Sequence, residues 1–199
     1  MKSNSRSKTL LVMLLSLSLL ATGCSAQWIR VALADLPVLV QMALNIGTLV
    51  TTLQSGNQLS SSEATEVQNI ANEASRDLNL LQALYNEYKA NPSPTTIQKI
   101  QSAIVDINQN LPALLQAAHV GDPVLSARIT AAVNLILTTV NSFATLIPQS
   151  AGSVMAPTVA QKPVAVPHAS DLKKQWNQQV CGPSGRAALD SALSLCGVK

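Results

Sequence analysis

The sequence predicts an all-α protein: an antiparallel up-down bundle of four main helices, then a proline-rich linker, then a short C-terminal helical pair docked on the bundle. Three observations lead there. Apolar residues recur at spacings of three and four through four long segments. Short runs of capping and turn residues separate those segments, which favours antiparallel neighbours. The composition is 47% hydrophobic but only 3% aromatic and 12% charged, the make-up of Ala/Leu-rich helices with Asn, Gln and Thr on their wet faces.

The first strong helix spans 36–54. Asp35 is its expected N-cap, and Pro37 falls in the first turn, where a missing N–H costs nothing. Leu39, Met42, Ile46, Val50 and Leu53 form its apolar stripe, and Gln41, Asn45, Thr48 and Thr52 form a polar one at the same period. The second helix spans 61–90. Ser60 and Glu63 have capping-box spacing, and Val67, Ile70, Ala74, Leu78, Leu81, Tyr85 and Tyr88 make its stripe. Glu73 and Asp77 stand one turn apart, but no Glu-x-x-His accompanies them, so a solvated face is expected rather than a metal pair.

Ser93 and Pro94 open the third helix with a cap and an N1 proline. Ile97, Ile100, Ile104, Ile107, Leu111, Leu114 and Ala118 follow in strict three-four alternation. Pro112 is expected to kink that helix or restart it over 111–119. Gly121-Asp122-Pro123 breaks and recaps the chain into a fourth helix, 123–147, with Leu125, Ile129, Ala132, Ile136, Val140 and Phe143 inward. Residues 129–147 carry no charge, yet Asn134, Thr138, Asn141 and Thr145 share one face, which is costly in lipid and favours a buried bundle helix. Residues 148–169, with four prolines, read as an extended linker. In the tail, 170–199, Ser170 is the expected cap of a short helix bearing Leu172, Trp176 and Val180. A Gly-Pro-Ser-Gly turn and a second helix over 186–195 follow.

The chain begins with a basic stretch (Lys2, Arg6, Lys8), then an apolar run from Leu10 to Leu20, then Ala21-Thr22-Gly23-Cys24. That order is the secretory pattern, and the run is too short for an ordinary membrane span. Leu20-Ala21-Thr22-Gly23-Cys24 resembles the lipobox of bacterial lipoproteins. The resemblance implies removal of residues 1–23, a diacylglycerol on the Cys24 thiol, and membrane attachment through it. Ser25 is not the aspartate that retains such proteins in the inner membrane, so the same resemblance implies an outer-membrane position facing the periplasm. The rest of the chain is similar to small helical envelope lipoproteins. Residues 24–35 would be the tether, with 25–34 either a spacer or the first turns of a helix kinked at Pro37, and 36–147 the bundle. Trp28 would either rest at the membrane interface or pack on the bundle.

Loss of the leader changes the electrostatics. The whole chain has 13 basic and 10 acidic residues, and three basic but no acidic ones lie in 1–23. The remaining chain is formally neutral, which removes any electrostatic case for nucleic acid. Five aromatic residues leave few platforms for stacking bases or sugars. The length suits one domain that buries roughly 70% of its unfolded surface.

With Cys24 set aside, Cys181 and Cys196 are an even remainder in an exported chain, and a disulfide is expected, with two buried thiols as the alternative. A bridge requires residues 182–185 to run back beside the final helix, because bridged Cα atoms sit within about 7 Å. His119 is expected to bond a terminal helix carbonyl, and His168 falls in the linker. No nucleophile elbow, phosphate loop, haem site or cofactor motif occurs. An enzyme would need Glu73, Asp77, Asp106 and His119 to converge. The expectation is a non-catalytic, cofactor-free interaction or structural module, lipid-anchored in the cell envelope and contacting an envelope protein. The alternative is a carrier of an apolar small molecule or lipid inside the bundle.

Overall fold

The computed structural model describes residues 4–147 and 166–198, with side chains from Trp28 onward. The Cys24 side chain and most of the expected linker lie outside the described residues. Among the described residues six helices occur in the order α1 (Asn4–Ser55), α2 (Ser61–Ala90), α3 (Pro94–Ala117), α4 (Pro123–Leu146), α5 (Ala169–Gln179) and α6 (Ala187–Leu193). The fold is all-α, with four main helices and a short C-terminal pair, as the periodicity predicts.

Paired side chains fix the antiparallel order. Trp28 near the start of the described part of α1 meets Tyr85 and Tyr88 near the end of α2. Glu87 near the end of α2 accepts from Thr96 near the start of α3, while Glu63 at the start of α2 accepts from Gly121 beyond the end of α3. Asn108 on α3 and Asn141 on α4 exchange amide hydrogen bonds at 2.8 and 3.0 Å. α1 and α4 also touch, and α5 packs against both.

The caps follow the local sequence. Ser60 accepts from the Glu63 N–H, and the Glu63 carboxylate accepts from the Ser60 N–H at 2.9 Å, a complete capping box. Ser93 caps α3 through Thr96 N–H, with Pro94 at N1. Asp122 caps α4 through Val124 and Leu125 N–H. The Ile100, Ile104, Ile107 and Leu111 stripe of α3 is buried, as is the apolar face of α4 from Leu125 to Phe143. Asn134, Thr138, Asn141 and Thr145 face outward. Trp28–Ser55 and Pro123–Leu146 are each long and apolar enough to cross a membrane, yet half of each span is buried inside this bundle.

Four expectations are corrected. Asp35 is not an N-cap: α1 is already helical there, and Asp35 is buried within it. Trp28 packs on the bundle, one of its two expected placements, and with Ile29 and Ala32 it is core, so residues 28–35 belong to the bundle and not to a tether. Their burial holds the helix continuous across Pro37. Pro112 likewise stands inside an uninterrupted α3, flanked by fully buried Leu111, so the 111–119 segment does not form separately. Burial on both sides of Pro37 outweighs its lost hydrogen bond; Pro112 has buried Leu111 before it and half-buried Leu114 and Leu115 after it. At the tail, α5 begins at Ala169 with His168 at the cap position and no side-chain cap, and α6 is shorter than 186–195.

The C-terminal pair belongs to the same core. Leu172, Trp176, Val180, Leu189, Leu193 and Cys196 join the central cluster, and Trp176 is fully buried. Cys181 and Cys196 are bridged, with Cα atoms 5.8 Å apart. The return loop depends on two glycines. A Cβ at Gly182 would lie 2.5 Å from the Gln178 carbonyl oxygen, and Gly185 has φ of 80°. Asp190 then gathers the loop, accepting from Ser184 and Gly185 N–H and from the Ser184 hydroxyl.

Trp176→Ala should lower unfolding free energy by about 3–5 kcal/mol in urea titration. The paired substitution Cys181→Ser and Cys196→Ser should cost about 3 kcal/mol by the same measurement, with helix content at zero urea largely kept.

Candidate functional site

The polar residues weighed for chemistry fall into three places. The first lies between α2 and α3. Glu73, Arg76 and Asp77 share one stretch of α2, and Asp106 and Asn110 stand one turn apart on α3. Arg76 donates to Glu73 and, at 3.4 Å, to Asp77 Oδ1. Asn110 Nδ2 donates to Glu73 at 3.2 Å. Asp77 is only 7% exposed, so the solvated face expected for the Glu73 and Asp77 pair is corrected: the side chain turns toward α3, and its Oδ2 has no hydrogen-bond partner. A pocket of about 180 Å³ is lined by Arg76, Asp77, Asp106 and Asn110 over a floor of Leu80 and Ala103. Leu80, Ala103 and Asp106 also line a more open groove of about 390 Å³ along the same two helices. Carboxylates held beside a guanidinium suit binding of a polar or cationic group. No histidine lines the pocket.

His119 is elsewhere. Its backbone N–H donates to Glu66 at 2.6 Å, and its Nδ1 lies 2.6 Å from the Ala117 carbonyl at the end of α3. This is the terminal-carbonyl contact read from the sequence. Asp77 and Asp106 thus line one pocket, Glu73 is tied to its Arg76 and Asn110, and His119 does not join them. Among the described residues no group of three or more His, Cys, Asp or Glu could hold a metal ion.

The second place is the junction of α1 and α5. Asp35 accepts from the Ala169 N–H, so the α5 terminus is capped by a carboxylate on another helix. Burial raises the Asp35 carboxyl above the usual aspartate range, while His168 and the Ala169 N–H pull it back. A surface groove of about 370 Å³ passes here, lined by Arg30, Val31, Ala34, Asp35 and His168.

The third place is the far end of the bundle, where carboxylates fasten loops. Hydrogen bonds from Ser60 and Gly121 hold Glu63 below the usual glutamate range. Arg186 does the same for Asp122, with which it makes an ion pair at 2.6 Å. Arg128 donates to the carbonyls of Val180 and Pro183 at 3.0 Å each, holding the disulfide loop on α4.

The sequence reading missed Asp35 and Asn45 as docking residues. Both lie on the core side of α1: Ala32, Asp35, Leu39, Met42 and Asn45 follow at three and four. That spacing was the available signal. No family model, no curated protein and no solved structure matches this chain.

Asp35→Asn gives a pH-dependent test. The folded state binds the Asp35 proton more tightly than the unfolded chain does. Its contribution to folding is therefore full below the ordinary value of 3.8 and is lost as pH rises through the raised folded value. The asparagine variant should melt a few degrees higher than the parent at neutral pH, with the gap closing toward pH 3.8 and below, measured by thermal circular dichroism.

Proposed function

We propose that this chain is a lipid-anchored, non-catalytic interaction module of a bacterial envelope, held through Cys24 and facing the periplasm from the outer membrane. The carrying observation is the cysteine arrangement. The chain has three cysteines, and two of them are bridged. The third is Cys24, which ends the basic, apolar and small-residue leader. A disulfide suits an oxidising compartment, which is where such a leader delivers a protein.

Two further features support the reading. Trp28, four residues after Cys24, is already buried in the core, so lipid and folded bundle would be nearly contiguous. The carboxylates Asp35, Glu63, Asp122 and Asp190 each accept a backbone N–H, so they fasten the fold together. The exposed apolar side chains Leu44, Leu80, Val105 and Leu195 offer contact points for an envelope protein.

Labelled fatty acid fed to the host should appear on the protein, with Cys24 as the mature N-terminus by mass spectrometry. Cys24→Ser should abolish the label. A different mature N-terminus, or an unlabelled parent, would sink the anchor. Recovery of the native protein from solubilised envelopes should bring down a stoichiometric protein partner; recovery of this chain alone would sink the interaction role.

A further inference from the structure

The two ends of the bundle differ in charge. At the end where α1 enters the core, Arg30 and Lys89 are exposed and make no ion pair among the described residues. Nearby, Lys99 pairs with Glu87 at 3.1 Å and cancels it, and Asp35 is buried. At the opposite end Arg186 pairs with Asp122 and Arg128 lies near Asp190, while the carboxylates of Glu63 and Glu66, joined only to backbone N–H groups and to Ser60, have no cationic partner among the described residues. The entry end therefore carries surplus positive charge, and the far end carries negative charge.

The entry end is also rigid. Trp28 stacks edge-on against Tyr85 with centroids 5.5 Å apart and lies 5.7 Å from Tyr88, and Tyr85 meets Phe143 at 6.3 Å. Four of the five aromatic residues thus clamp the point where the chain enters the core. Between Cys24 and Trp28 the chain spans ~6 Å as helix and ~14 Å fully extended. A lipid on Cys24 would hold Arg30 and Lys89 close to the bilayer surface, near the roughly 8 Å over which charge acts at physiological salt.

We propose that the entry end is a membrane-docking face for anionic phospholipid headgroups, which Arg30 and Lys89 engage. The bundle then stands on the bilayer and holds the disulfide loop and α6 away from it. Attraction of the basic end alone orients the neutral chain, because the acidic end stands beyond the range over which charge acts at physiological salt. This deepens the anchored-module reading and rests on it.

The test uses the full protein isolated from its own membranes and reconstituted into vesicles of phosphatidylcholine, with and without phosphatidylglycerol. A small fraction of the lipid carries a headgroup spin label, and amide line broadening is read by NMR. On phosphatidylglycerol vesicles, Arg30 and Lys89 amides should broaden several-fold more than those of Ser184 and Gly185. Without the anionic lipid the contrast should shrink. The double variant Arg30→Glu and Lys89→Glu should lose the lipid dependence while keeping its helix content. Equal broadening at both ends, or a contrast indifferent to lipid charge and to the variant, would overturn the proposal. If mass spectrometry shows Cys24 without lipid, the anchor reading fails separately. The same broadening is then read on protein coupled through the Cys24 thiol to a maleimide lipid.

Discussion

The carbonyl oxygen of Cys196 accepts two hydrogen bonds, from Trp176 Nε1 and from Asn45 Nδ2, each at 2.8 Å. Gln41 donates in turn to Asn45 Oδ1 at 2.8 Å. All of the donor groups on this carbonyl are buried, where an unmatched polar group is costly. The contact joins α1, α5 and the end of α6 in one network, beside the disulfide that already links α5 to the residues after α6. Without it the buried indole and amide would each lose a partner, and the C-terminal pair would have only apolar packing to set its register on α1. Asn177 repeats the arrangement one step along, with its side chain bonding both the N–H and the carbonyl of Val198.

This constraint explains why the tail is part of the core. A helix of seven residues has little stability of its own. α6 persists because the disulfide, the Asp190 cap of the loop and the Cys196 carbonyl hold its two ends, and Leu189, Ala192 and Leu193 fill the groove beneath. At the junction of α1 and α5, Asp35 supplies the cap that α5 lacks in its own sequence. Tail and bundle are therefore coupled at two levels of α1. Loosening either level exposes apolar surface on α1 and α4.

Capping boxes, N1 prolines and three-four stripes are interactions among residues close in sequence, and they placed α2, α3 and α4 within a residue or so. The same local logic failed at Asp35, Pro37 and Pro112. An aspartate before Leu-Pro reads as a cap, and a proline reads as a break, when only neighbours are considered. Burial of Trp28 and Ile29 before Pro37, and of Leu111 beside Pro112, overrides both signals. The candidate site was legible in fragments. Glu73, Asp77 and Asp106 were named, yet the meeting of Asp77 and Asp106 in one pocket, with Glu73 bonded to its Arg76 and Asn110, depends on how α2 and α3 are aligned, and His119 was left out by that same alignment.

By itself the sequence determined the helical class, the helix count, the cysteine pair available for bridging, and an opening segment that resembles a lipoprotein leader. These follow from periodicity, spacing and local hydrogen bonding, which act over a few residues. Tertiary structure decided that Asn45 and Asp35 hold the tail, that Asp77 turns inward, and that Arg30 and Lys89 share one end of the bundle while Glu63 and Glu66 share the other. Each of these results from residues far apart in the chain being packed side by side, and short-range patterns carry no information about such meetings.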